Sequence, residues 1–238
     1  MRDDERAIDY LTGALTGGAR PAAVGLKFTE EGAPLACPGY TTICHVDPAS
    51  DAFRALVAAQ DALKAGLLAS AFTFMPADSL HMTIFEGVID YSRTADRWPA
   101  HLSLDATIAE ATKDAAARLK EHPCQQEFKL RPVEVFGGFT VGITGATDDE
   151  ETGLRKTRNA LRDALNLHRP DHDAYQFHVT LAYLLRWLSR DEAQEVVDVS
   201  HSVANALLQD MPTLTLGPVE LCSFETMHRF DPIMSLGG

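Results

Sequence analysis

The stretch Asp78-Ser79-Leu80-His81-Met82-Thr83-Ile84-Phe85-Glu86-Gly87-Val88 organises this chain, because its core returns later. His81-Met82-Thr83-Ile84 recurs 97 residues on as His178-Val179-Thr180-Leu181, each time His, apolar, Thr, apolar. Both copies lie in runs of β-branched and large apolar residues, the composition of strands. Strand side chains alternate between faces, so each His shares a face with the Thr two positions on, while the apolar pair anchors the opposite face. A chain with nine His holds about one His-x-Thr by chance at average Thr usage. Two matching tetrapeptides in matching strands are much rarer than that.

Outward from the first copy, the chain reads as a β-α-β-α-β unit. Tyr40–Val46 is a strand punctuated by Asp47-Pro48-Ala49-Ser50. A helix over about Asp51–Ala69 follows, with Phe53, Leu56, Val57, Leu63 and Leu67 in helical spacing. After the His81 strand comes an irregular stretch, Tyr91–His101, holding Arg93, Arg97 and Trp98, then a helix over Leu104–Glu121 and a strand over Phe128–Phe136. The second half repeats the order: strand Phe139–Thr144, helix Glu150–Leu167, the His178 strand, helix Arg190–Leu208 and strand Thr213–Ser223. A further echo sets Leu130-Arg131-Pro132-Val133-Glu134-Val135 against Leu216-Gly217-Pro218-Val219-Glu220-Leu221. Such internal similarity predicts an α/β (α+β) protein built from two copies of one unit about an approximate two-fold. The expectation is two facing sheets with helices outside and the His-x-Thr strands meeting across the axis. Residues 1–39 then form an N-terminal helix (Asp4–Leu15) and an arm or small hairpin turning through Glu30-Glu31-Gly32. Residues 40–238 form a bilobal domain, with lobes at about 40–137 and 138–238.

With 238 residues, 45% hydrophobic and 23% charged, the chain can bury a sizeable core. Its net charge of −13 argues against gripping long nucleic acid, which calls for a basic stripe. A small phosphate ester in a locally basic cleft remains compatible with that charge. No apolar run approaches the roughly 18 residues of a membrane span, and Met1-Arg2-Asp3-Asp4-Glu5-Arg6 lacks a signal-peptide core. A cytoplasmic protein without membrane contact is expected. Cys37, Cys44, Cys124 and Cys222 are scattered, without Cys-x-x-Cys, and read as reduced thiols. The absence of a heptad stripe, and two halves able to cover each other's apolar faces, lead to the expectation of a monomer.

Competing motifs are weaker. Pro170 disfavours a helical ligand pair in His168-Arg169-Pro170-Asp171-His172, which reads as a solvated loop. Arg155, Lys156, Arg158 and Arg162 read as a solvated helix face, and His45 as structural. Neither a Gly-x-Ser-x-Gly elbow nor a Walker loop is present.

Paired His-x-Thr strands about a hundred residues apart in a duplicated α/β frame resemble the 2H phosphoesterase superfamily. That group includes bacterial 2′-5′ RNA ligase-like proteins and cyclic nucleotide phosphodiesterases. The resemblance covers about residues 40 to 223. Lys27-Phe28 through Pro38-Gly39-Tyr40-Thr41, with His81 to Val88, is similar to a bacterial branch described as a domain of unknown function, DUF1868. The N-terminal extension departs from many small members and could cover part of a cleft.

The residues themselves suggest the chemistry. Two imidazoles with ordinary pKa near 6.5 can divide acid and base work close to neutral pH. His81 and His178 are therefore the candidate catalytic residues, with either able to be the acid. Thr83 and Thr180 are candidate donors to the non-bridging phosphate oxygens. Phe85, on the His81 face by alternation, is a candidate for stacking on a base or sugar, and Arg93 a second candidate substrate contact. No cofactor or metal is required. The expected activity is opening of a small 2′,3′-cyclic phosphate or related nucleotide phosphodiester. The alternatives are a non-catalytic nucleotide- or phosphate-binding module, or an RNA end-processing, ligase-like protein using the same cleft.

Overall fold

The computed structural model of the protein describes residues 2–66 and 68–237. Leu67, assigned to the second helix from its spacing, lies outside the described residues. Among the described residues there are five α-helices and ten strands. α1 (Arg2–Leu11) precedes the arm, and β1 (Gly39–His45) leads to α2 (Asp51–Lys64). β2 (Phe72–Phe74) and β3 (His81–Phe85) are followed by α3 (Ile108–Leu119) and β4 (Phe128–Phe136). β5 (Thr140–Gly145), α4 (Asp148–Leu165), β6 (His178–Thr180) and β7 (Ala182–Leu184) come next. The chain ends with α5 (Arg190–Asp210), β8 (Leu214–Leu216), β9 (Glu220–Thr226) and β10 (Arg229–Ser235). The mixed, α+β character follows the sequence pattern. β2 and β7 escape it because three residues are too short to establish a period, and β10 because Pro232 interrupts its pattern. Among the described residues no helix is long and apolar enough to cross a membrane.

Local chemistry sets the helix starts. Ser50 caps α2 by accepting from the Phe53 amide, and the helix buries Ala52, Leu56, Ala59, Gln60 and Leu63 along one stripe. α3 and α5 open with reciprocal capping boxes, Thr107 with Glu110 and Ser189 with Glu192. α4 carries Asp148, Asp149, Glu150 and Glu151 in its first turn, where the helix dipole favours acids. It stops at Asn166, whose φ of 48° is the left-handed conformation that Asn tolerates.

Eight strands form one antiparallel sheet in the order β10-β9-β1-β3-β6-β5-β4-β8, and β2 pairs with β7 apart from it. The two halves meet edge to edge: β3 pairs with β6 through Met82 and Val179, so the His-x-Thr strands lie side by side at the centre. This pairing satisfies the backbone edges that two separate half-sheets would leave open. The third strand of each repeat crosses over. β4 pairs with β5 of the second repeat, and β9 pairs with β1 of the first.

Met82, Ile84, Val179 and Leu181 are fully buried in the core between sheet and helices, as alternation requires. α1 packs against α5 through Ala7, Ile8 and Leu11 with Leu188, Val196 and Val197. Val24 and Phe28 of the arm join Ile43, Cys222, Phe224 and Phe230 in a separate cluster. That cluster fixes the arm over β1 and β9, beside the His face. The arm is not a regular hairpin: isolated bridges link Val24 to Phe28 and Phe28 to Pro34.

Candidate active site

The faces of β3 and β6 that carry His and Thr line one cavity of about 370 Å³, and His81, Thr83, His178 and Thr180 all border it. Two residues before each histidine, a carbonyl fixes the ring. His81 Nδ1 lies 2.7 Å from the Ser79 oxygen, and His178 Nδ1 lies 2.8 Å from the Gln176 oxygen. A carbonyl accepts only, so each Nδ1 carries the proton and each Nε2 is the nitrogen left for a substrate. The internal repeat thus produces two equivalent imidazoles beside one space.

Their surroundings are not equivalent. The His81 ring packs 4.2 Å from the Phe230 ring and 6.4 Å from that of His45. Burial pulls its pKa down from 6.5 to about 4; the charges of His45, His178 and Lys27 act in the same direction, against the stabilising Ser79 carbonyl. His81 is therefore neutral at pH 7. The His178 ring stands 5.8 Å from that of Tyr175. The Tyr175 hydroxyl donates to the Thr83 carbonyl at 3.4 Å, and burial with the Glu86 charge holds its pKa up, so it stays a donor.

Phe85 and Arg93, the two further candidate substrate contacts, do not border the cavity. Phe85 is fully buried in the main core, with the Arg158 guanidinium 5.3 Å from its ring. The pairing between β1 and β3 slips between Thr42 and Ile43, and this irregularity breaks the alternation on which the stacking expectation rested. Arg93 is a loop clamp. It donates to Asp90 and to the Leu104 and Ala106 carbonyls, and its guanidinium lies 4.5 Å from the Trp98 ring centroid.

Other cations take their place. Lys27, Arg97 and Arg169 border the cavity with Tyr91, Tyr175, Tyr183 and Phe230. The His168–His172 segment is a loop whose His168, Pro170 and Asp171 are exposed, but Arg169 turns inward, only 10% exposed, and contacts Glu86 at 3.7 Å. Of the α4 cations, Lys156 is exposed and Arg162 pairs with its neighbour Asp163 at the surface, but Arg158 leaves the solvated face. Arg158 is 1% exposed, donates to the Ile84 carbonyl at 2.8 Å and to Glu86 at 3.1 Å, and stacks 3.8 Å from the Tyr175 ring centroid. Arg155 donates to the Tyr175 carbonyl and lies over the Phe177 ring. Burial against β3 drives this, since an enclosed guanidinium must find acceptors. Glu86-Gly87 in the opening stretch also acquires a purpose. A Cβ at Gly87 would lie 2.3 Å from the Tyr40 carbonyl, so only glycine lets the chain leave β3 against β1.

His45, Glu220 and Cys222 place three donor atoms within 4.8 Å of one another. His45 Nδ1 and Glu220 already bond at 2.6 Å, and burial pushes the Cys222 thiol up to about 12, which keeps it protonated. The set is a hydrogen-bonded cross-strand pair with a neutral thiol beside it.

A conserved protein of unknown function from Agrobacterium tumefaciens, ATU0111, has a crystal structure that superposes with a TM-score of 0.91 at 28% identity, over 97% of this chain and 98% of that one. No curated protein is similar to the chain. The family model labelled 2H-phosphodiest matches residues 27–137, a span that begins at Lys27 in the arm and contains His81 and Thr83. That model is described as a domain of unknown function (DUF1868), and the chain is similar to it over just under half of its length.

Proposed function

We propose that this protein is a phosphodiesterase that opens a small 2′,3′-cyclic phosphate or related nucleotide phosphodiester by two-histidine acid–base catalysis. One observation carries this: two imidazoles on adjacent strands, both held by carbonyls at Nδ1, border a single cavity. His81, with its pKa pulled down to about 4, is the base: its Nε2 takes a proton from the attacking water. Water oxygen bonds to phosphorus, and the bond to one ribose oxygen breaks. Protonated His178 delivers its Nε2 proton to that leaving oxygen. Thr83 and Thr180 donate to the non-bridging oxygens, where charge accumulates. The two imidazoles supply both proton transfers.

The test is a panel of 2′,3′-cyclic and 2′-5′-linked nucleotides offered to wild type and to His81→Ala and His178→Ala, in excess chelator. Each substitution is expected to lower kcat about 10²–10⁴-fold. Tight nucleotide binding without turnover by the wild type would replace this activity with a receptor role.

A further inference from the structure

We propose that Lys27, carried by the N-terminal arm, is a substrate-contacting residue whose ammonium binds the phosphate held between His81 and His178. This role rests on the two-histidine site above and adds to it a residue from outside the duplicated frame.

Three cations border the cavity, and their partners distinguish them. Arg97 pairs with Asp171 at 3.3 Å. Arg169 is shared between Asp171 at 3.4 Å and Glu86 at 3.7 Å. Glu86 is also held by Arg158. Lys27 has no carboxylate partner among the described residues; its Nζ lies 5.1 Å from the Tyr183 ring centroid. A half-buried cation left without a counter-charge is costly unless a ligand supplies one. Burial opposes its charge, but Tyr183, Tyr91 and Cys37 outweigh that and leave its pKa above the ordinary value, so it is an ammonium at neutral pH. His81 senses this charge, which places the ammonium within electrostatic reach of the imidazole.

The position is built in advance. The Lys27 amide donates to the Ala23 carbonyl at 2.8 Å, and its carbonyl accepts from the Leu35 amide at 2.8 Å. Its neighbour Phe28 is fully buried, 5.0 Å from the Tyr183 ring and 5.7 Å from that of His228. A fixed point charge aimed at oxygens that gain charge in the transition state needs no rearrangement to act. In a protein of net charge −13, such a charge also gives the cleft a local sign opposite to the whole.

Inorganic phosphate is the probe, titrated calorimetrically into the full chain. Lys27→Met, which keeps the packing on Tyr183, is expected to weaken phosphate binding about 10–100-fold, and Lys27→Arg far less. In the wild type, phosphate is expected to shift the Lys27 side-chain nitrogen resonance, a readout that needs no variant to fold. Unchanged phosphate affinity in Lys27→Met overturns the role, as does a Lys27 resonance indifferent to phosphate. The two ideas fail separately. If Lys27-dependent phosphate binding is found but no cyclic phosphate is opened, the phosphodiesterase activity falls and the anion site stands. If cyclic phosphates are opened equally well by Lys27→Met, the reverse holds.

Discussion

At the residue scale, His81, the base in the proposed reaction, also bears on stability. Its pKa falls from 6.5 to about 4 on folding, so between those values the unfolded chain binds more protons. Stability from this group is complete above about pH 6.5 and is lost as pH falls toward 4. Urea unfolding at a series of pH values is expected to show a shallower loss over that window in His81→Asn than in wild type. An identical slope would remove the buried, neutral imidazole on which the base assignment depends. Arg93 tests the opposite assignment. Because it ties Asp90, Leu104 and Ala106 together beneath Trp98, Arg93→Ala is expected to cost about 1–3 kcal/mol of stability. The KM for any cyclic phosphate should stay within about twofold, since small changes of that size lie below one lost polar contact. A large rise in KM with unchanged stability would return Arg93 to the substrate.

At the scale of elements, α4 braces the site from behind. Arg158 reaches from the helix to the Ile84 carbonyl at the end of β3 and to Glu86 just after it, with Tyr175 and Phe85 against its guanidinium. Tyr175 in turn touches Thr83. Removing the guanidinium leaves a buried carbonyl without its donor and Glu86 with Arg169 alone. Arg158→Met is therefore expected to destabilise by on the order of 3 kcal/mol, measured by chemical denaturation. A loss under about 0.5 kcal/mol, the range of ordinary surface changes, would mean the brace is dispensable. The arm is the second element of consequence. It is attached by a small apolar cluster rather than by sheet pairing, yet it carries the one cavity cation without a carboxylate partner among the described residues.

At the scale of the whole molecule, we propose a compact, nucleotide-sized anion rather than a polymer as the ligand, on the net charge of −13 and the cavity of about 370 Å³. Binding of a long single-stranded RNA is expected to be weak, without the steep salt dependence that many phosphate contacts impose. Fluorescence titration of a labelled RNA beside a labelled cyclic nucleotide, across a salt series, checks this. We further propose that the protein works as a monomer, since all four His-x-Thr residues and Lys27 come from one chain. Light scattering after size exclusion should return a mass near 25.9 kDa, and a stable dimer would contradict it.

The sequence by itself determined the duplicated order, the major helices and strands, and the two buried tetrapeptide anchors. These are local properties: alternation around Met82 and Val179, a 3.6-residue stripe on α2, and capping residues at Ser50, Thr107 and Ser189 are written in adjacent positions. The tertiary structure decided everything that depends on which distant segments meet. It joined the halves through one β3–β6 pairing and exchanged β4 and β9 between repeats. It moved Phe85 into the core by a slip in register and turned Arg93 inward onto its own loop. It brought Lys27, Arg97 and Arg169 to the cavity from three segments with no shared motif. Periodicity records which face of an element is apolar. It does not record what that face is packed against, and the cations of this site were chosen by that packing.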